Sequence, residues 1–227
     1  WSSDVCSSDL FSPYELLRGL SREGGGPFPP GRFVEMDLSP DGESLVPVDR
    51  PYGQNVAHVV VGTLTSRFAP YLDGLARVFI AGDPTRNMGS LAEPECRRIV
   101  AAIDLAEREG LAVEWVAVSS GARIAMDSGT ENLDWTARVL ARIVRFTQGG
   151  GVINVIVDGV NVGAQSYWNA EATMLLHCRG ALIMTPTGAM LLTGKKALEY
   201  AGSVAAEDNL GIGGYERVMG PNGEAQY

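Results

Sequence analysis

The pattern of apolar and polar positions changes character near Val56. Before it, Gly24-Gly25-Gly26-Pro27 and Pro29-Pro30-Gly31 break the chain repeatedly. Residues 33–49 carry a short predicted hairpin, with Pro40-Asp41-Gly42 as its turn. Residues 11–51 are therefore read as a linker packed on the outside of a domain that starts at residue 52. Past Val56, short apolar runs alternate with helical periods. Residues 56–64 are β-branched and apolar, and residues 77–81 read as a short buried strand. Ser90 with Glu93 has the spacing of a capping box. A helix follows to about Glu109, with Ile99, Val100, Ile103 and Ala106 on one face and Gly110 as its stop.

The second half repeats this design. Residues 113–118 and 152–157 read as buried strands, each followed by a turn of small residues and a helical stretch. The helix over 133–146 places Leu133, Ala137, Leu140 and Val144 on one face, and Gly149-Gly150-Gly151 ends it. Residues 166–178 read as a helix, 181–184 as a strand and 193–200 as a short helix, with a loop-rich tail over 208–226. Strand and helix alternating at this spacing predict an α/β fold with largely parallel pairing. Parallel strands covered on both faces are continuously apolar. Here Glu114 and Asn154 are the exceptions.

Composition narrows the partners. A net charge of −9 argues against a broad electrostatic footprint on nucleic acid or anionic membrane, while leaving room for a local anion pocket. The most apolar window, residues 174–194, contains His177, Arg179 and Pro186, which excludes a membrane span. Cys6, Cys96 and Cys178 are odd in number and form no C-x-x-C pair, so a reducing, cytoplasmic location is expected. His58 and His177 are too few for most His-based metal sites or triads and read as structural imidazoles, so no metal is expected. Residues 1–10 have no helix or strand period and resemble the translation of a common sequencing adapter. They are set aside from fold reasoning, and the remainder is expected to be a fragment truncated at its C-terminus.

Several motifs fail. Between Gly188 and Gly194 five residues intervene where a phosphate loop needs four, and Lys195 is followed by Lys196 rather than Ser or Thr. Gly211-Ile212-Gly213-Gly214 lacks the third glycine and the helix of a dinucleotide fingerprint. Ser119 and Ser120 have no nucleophile elbow and no identifiable base.

Two turns survive. Val118-Ser119-Ser120-Gly121-Ala122-Arg123 and Gly159-Val160-Asn161-Val162-Gly163-Ala164 each follow a buried strand. Small residues let a ligand approach the main chain, and the N–H groups of the turn and of the next helix point at one place. Two such turns on adjacent strands can converge on one carbonyl oxygen as an oxyanion hole, each donor contributing about 3 kcal/mol. Arg123, directly beyond, has the chemistry to hold a phosphate. The plainer reading of the small residues is close packing.

Four motifs then fall in order: Gly-Asp-Pro-Thr-Arg-Asn-Met-Gly-Ser over 82–90, Ser-Ser-Gly-Ala-Arg-Ile over 119–124, Gly-Val-Asn-Val-Gly-Ala-Gln-Ser-Tyr over 159–167, and Ala-Glu-Asp-Asn-Leu-Gly-Ile-Gly-Gly over 206–214. With them the stretch from about Tyr52 to Tyr227 resembles the N-terminal half of the carboxyltransferase domain of biotin-dependent acyl-CoA carboxylases. The likeness is greatest to the very large single-chain bacterial acetyl- and propionyl-CoA carboxylases. It implies a crotonase-like spiral of ββα units, one half of a two-half carboxyltransferase. It implies that Ser120, Gly121, Ala122, Gly163 and Ala164 supply main-chain N–H groups to oxyanion holes, and that Arg123 lies near the CoA phosphates. Many relatives carry Gly-Gly-Ala-Arg and Ala-Gly-Gly where this chain has Ser-Gly-Ala-Arg and Val-Gly-Ala. Main-chain donors survive those changes, whereas the fit of the acyl group does not follow from them.

The resemblance further implies biotin as cofactor, acyl-CoA as substrate, and transfer of CO2 from carboxybiotin to the acyl α-carbon through an enolate. That is ligase chemistry of fatty acid metabolism. The implied partners are biotin carrier and ATP-binding biotin carboxylase domains, the missing C-terminal half, and further copies in a homo-oligomer. The fragment alone is expected to be inactive. Two alternatives stay open: a crotonase-type enoyl-CoA hydratase or isomerase, which needs a carboxylate such as Glu171 beside the hole, and a non-catalytic CoA-binding half-domain. The plainer readings make Glu171 a surface carboxylate, Arg138, Arg142 and Arg145 a solvated face, Lys195-Lys196 a surface pair, and Trp115, Trp135 and Trp168 core or interface aromatics.

Overall fold

Eight strands form one mixed sheet among the residues that the computed structural model describes, which are 12–21, 27–123, 125, 126, 128–174, 179–202 and 206–227. They are β1 (Arg32–Leu38), β2 (Leu45–Pro47), β3 (Val59–Phe68), β4 (Tyr71–Gly82), β5 (Val113–Ser119), β6 (Ile153–Val162), β7 (Leu182–Met184) and β8 (Ala189–Leu191). The order is β2-β1-β3-β4-β5-β6-β7, with β8 also on β6. Readings that fall on residues 1–10, Gly24 to Gly26, Ile124, His177 and Cys178 lie outside the described residues.

The expectation of largely parallel pairing holds for one half only. β4 to β5, β5 to β6, and β6 to β7 and β8 are parallel. β2, β1, β3 and β4 are antiparallel: hairpins join β1 to β2 and β3 to β4, and β3 returns along the other side of β1. Residues 32–47 thus form the edge of the same sheet, ahead of a ββα unit, β3–β4–α2, where α2 is Glu93–Glu109.

Helices cover the sheet unequally. α2, α3 (Glu131–Gln148) and α4 (Ala164–Thr173) share a large core with alternate residues of β3 to β7, including Val61, Ile80, Trp115 and Val155. On the other face α1 (Pro13–Ser21) packs Tyr14 and Leu17 against Val60, Leu64, Phe79 and Val116. Glu114 and Asn154 are half-buried, and each is occupied: Glu114 pairs with Arg77, and Asn154 Oδ1 accepts from Ala181 N at 3.1 Å. Two short helices, α5 (Lys195–Tyr200) and α6 (Asn209–Gly213), and a π-helical turn at Tyr215–Met219 follow, so the tail is more helical than its composition predicts. Among the described residues no helix is long and apolar enough to cross a membrane.

Four local readings are corrected. The cap of α2 is Ala92, and Glu95 closes it by accepting from Ala92 N at 2.9 Å; Ser90 instead places its Oγ 3.1 Å from His58 Nδ1. α3 buries Val139, Ile143 and Phe146, while Leu133 stands 71% exposed. Both stripes are apolar at helical spacing, and the neighbouring elements select between them. Arg142 is not solvated: it bridges from α3 to Asp104 at 2.5 Å and Glu107 at 2.8 Å on α2. Residues 159–162 belong to β6, so the second turn shrinks to Gly163, and α4 starts at Ala164 rather than at 166.

Candidate functional site

β5 and β6 are adjacent and parallel, with Ser119 in register with Asn161. Their carboxyl ends therefore deliver the two turns side by side. A Cβ built on Gly121 would lie 3.3 Å from Val162 O, one residue before Gly163. Crevices at the carboxyl ends of parallel strands are where α/β sheets bind ligands.

The first turn is stitched to the segment before α2. Ser120 N donates to Met88 O at 2.9 Å, Leu91 N to Gly121 O at 2.9 Å, and Arg123 N to Leu91 O at 2.8 Å. Gly121 N donates to Ser119 Oγ at 3.1 Å. That close approach explains two glycines of the first motif: a Cβ on Gly82 or Gly89 would come within 2.1 or 2.5 Å of Val118 O. Asn87 and Met88 both hold positive φ, 45° and 52°, a strained run beside the turn. Asp83, 2% exposed, fixes the approach by accepting from Thr85 N at 3.0 Å and from Asn55 Nδ2 at 2.8 Å.

The second turn pivots on Gly163, whose φ of 59° and ψ of −119° suit glycine. Its N–H donates to Leu191 O at 2.8 Å. Ala164 is then the first residue of α4, a position whose N–H has no partner within its helix.

The five nominated donors thus divide. The N–H groups of Ser120, Gly121 and Gly163 are engaged within the chain. Those of Ala122, which is exposed, and Ala164, which is half-buried, have no acceptor among the described residues. Arg123 is half-buried beside them, its carbonyl accepting from Asn132 Nδ2 at 3.0 Å. Glu171 is half-buried on the second turn of α4. Lys195 pairs with Glu199 at 3.2 Å.

Residues outside the nominated set hold the second turn. Asn161 and Asn169 are fully buried and Gln165 is 2% exposed. Asn161 Nδ2 donates to Ala117 O at 2.8 Å, Asn169 Nδ2 to Asn161 Oδ1 at 3.0 Å, and Gln165 Nε2 to Asn169 Oδ1 at 2.8 Å. Ser166 Oγ donates to Asn161 O at 2.9 Å. The signal for them was a polar stripe at i, i+4 and i+8, Gln165, Asn169 and Thr173, on a helix that must cover a buried strand. Trp115 and Trp168 are core aromatics, and Trp168 Nε1 donates to Thr136 O of α3 at 3.2 Å. Trp135 lies between Arg97 and Arg138.

Displaced protonation equilibria lie away from the turns. Burial pushes the Cys96 thiol up to about 12, which leaves it neutral. Burial raises Glu35, while hydrogen bonds from Arg50 and the Leu38 N–H, with the charge of Arg98, outweigh burial and lower Asp37. Among the described residues no group of three His, Cys, Asp or Glu side chains is arranged to hold a metal.

The mixed sheet, antiparallel at one side and parallel at the other, is that of a crotonase-like fold. The chain is similar in fold to the β subunit of geranyl-CoA carboxylase from P. aeruginosa, with a TM-score of 0.69 and 18% identity over 96% of this chain. It spans 36% of the length of that subunit. The family model for the carboxyl transferase domain matches residues 71–227, and the chain belongs to that family. No curated protein matches the sequence.

Proposed function

We propose that the chain is the N-terminal half of the carboxyltransferase of a biotin-dependent acyl-CoA carboxylase, acting on acyl-CoAs of the acetyl and propionyl class. The observation that carries this reading is the pair of N–H groups on Ala122 and Ala164, at the ends of neighbouring strands, that have no acceptor among the described residues. When the α-proton of an acyl-CoA leaves, negative charge gathers on the thioester oxygen. A preorganised N–H directed at that oxygen contributes about 3 kcal/mol to the transition state. Carboxybiotin, when bound, supplies CO2 and, through its ureido nitrogen, the base. The residues fit that chemistry: Ala122 and Ala164 offer donors, and neither they nor the neighbouring Gly121 and Gly163 carry a titrating side chain to compete for the proton. Arg123, whose main chain is pinned at the end of the first turn, holds a CoA phosphate.

One oxyanion is served here and the other by the C-terminal half, so residues 11–227 alone are inactive. Biotin carrier and ATP-dependent biotin carboxylase domains are the partners, in a cytoplasmic homo-oligomer. The test places residues 11–227 in their natural reading frame and measures carboxyl transfer from carboxylated biotin across acyl-CoA chain lengths. The expected product is a malonyl-type CoA from short acyl chains. Hydration of an enoyl-CoA, abolished by Glu171→Gln, would replace this reading with the hydratase. CoA binding without either activity would leave a non-catalytic half-domain.

A further inference from the structure

The buried face of α4 is the wrong polarity for a helix that only fills space. Gln165, Asn169 and Thr173 recur at i, i+4 and i+8, and none is more than 2% exposed. Each unpaired amide there would cost about 1–3 kcal/mol. They are instead linked head to tail. Reading outward from β5, Ala117 O accepts from Asn161, Asn161 Oδ1 from Asn169, and Asn169 Oδ1 from Gln165. Thr173 closes the inner end by donating to Asn169 O at 2.8 Å. The chain of amides starts two residues before Ser119 and ends one residue after Ala164. It joins the strand that leads into the first turn to the helix that opens the second. Ser166 clamps the same helical turn from the other side, donating to Leu191 O at 3.1 Å and accepting from Leu191 N at 3.1 Å. Apolar burial is non-directional, whereas hydrogen bonds fix direction and distance.

We infer that Asn161, Asn169 and Gln165 are positioning residues, a buried amide relay that fixes the Ala164 N–H relative to the first turn. The inference rests on the proposed carboxyl transfer for its purpose, though not for its structural half. A displacement of about 1 Å at a reacting centre can cost about 100-fold in rate. Cutting the relay therefore lowers kcat and leaves the acyl-CoA KM in place, because Ala164 acts where charge develops.

The test uses Asn169→Leu and Asn169→Asp in the full natural reading frame, with propionyl-CoA as acceptor. Asn169→Leu is expected to lower kcat by about 10- to 100-fold with KM within about twofold. Amide exchange over residues 163–168 rises about tenfold or more, as expected for local opening, while β5 and β6 keep their protection. Asn169→Asp recovers kcat as pH falls, because its carboxyl must take up a proton before it can donate to Asn161 Oδ1. Gln165→Met, which removes only the last donor, serves if the Asn169 variants do not fold. An unchanged kcat, a rise in KM alone, or exchange accelerated evenly over the whole sheet would overturn the relay. If the unaltered enzyme transfers no carboxyl to any acyl-CoA, the proposed function falls. The exchange pattern then decides the relay by itself: confined to residues 163–168 it stands, and evenly spread it does not.

Discussion

The two turns reach one result by different means. Of the nominated donors, each leaves one N–H without an acceptor among the described residues, that of Ala122 and that of Ala164. The first turn is held by main chain, through the carbonyls of Met88 and Leu91 and the N–H of Leu91. The second is held by side chains: Asn161, Gln165, Ser166 and Asn169. Main-chain stitching tolerates most side-chain changes but demands glycine where strands crowd. A side-chain relay leaves room around its glycine but depends on which amides stand behind it. Mutations should therefore damage the first turn through its glycines and the second through its polar residues.

The largest effect is expected at Gly89. A side chain there meets Val118 O at 2.5 Å and is forced to a φ of 66°. Gly89→Val should cost roughly 2–6 kcal/mol, the strain and the overlap together, read as a fall in the denaturant midpoint. Gly163→Ala is milder. Its Cβ has nothing closer than Leu192 O at 4.0 Å, so only the strain at φ 59° remains, roughly 1–3 kcal/mol. Equal losses at the two glycines would erase the contrast.

Ser166→Ala removes a hydroxyl that serves Asn161 O, Leu191 O and Leu191 N. Urea unfolding should show a loss of about 1 kcal/mol, against almost none for Ser120→Ala, whose hydroxyl makes only a 3.4 Å contact with Asn87 O. The smallest effect lies outside both turns. Asp37, held at 2.5 Å by Arg50 and 2.7 Å by Arg98, has a lowered pKa. It stabilises the fold above the unfolded carboxylate range and loses that contribution as pH falls through its folded value. Asp37→Asn should flatten the acid side of the stability curve and leave kcat unchanged.

The sequence made the body and C-terminal end of α2 legible, because a single apolar face and the stop at Gly110 (φ 64°) agree, while its cap lies at Ala92 rather than Ser90. α3 was harder: two apolar stripes share one helix, and tertiary contacts select Val139 and Ile143 over Leu133. Gly159 read as the start of a turn, yet β6 runs through it with φ at 72° and continues to Val162. The turn residues Gly121 and Gly163 were visible as small residues after apolar runs. The division of their N–H groups was not, since Met88 and Leu91 reach Ser120 and Arg123 only through the fold. The relay escaped because a polar stripe at helical spacing ordinarily faces water. In α4 it faces Asn161.

The central claim is that the Ala164 N–H acts on developing charge. Ala164 is the first residue of α4, where proline fits without breaking the helix. Ala164→Pro deletes that one N–H and nothing else of the hydrogen-bond lattice. In the full natural reading frame, single-turnover carboxyl transfer should slow by roughly 100- to 1,000-fold, with acyl-CoA affinity and Tm close to those of the unaltered enzyme. A rate within about threefold of the unaltered enzyme, well below what losing one oxyanion donor costs, would contradict the account.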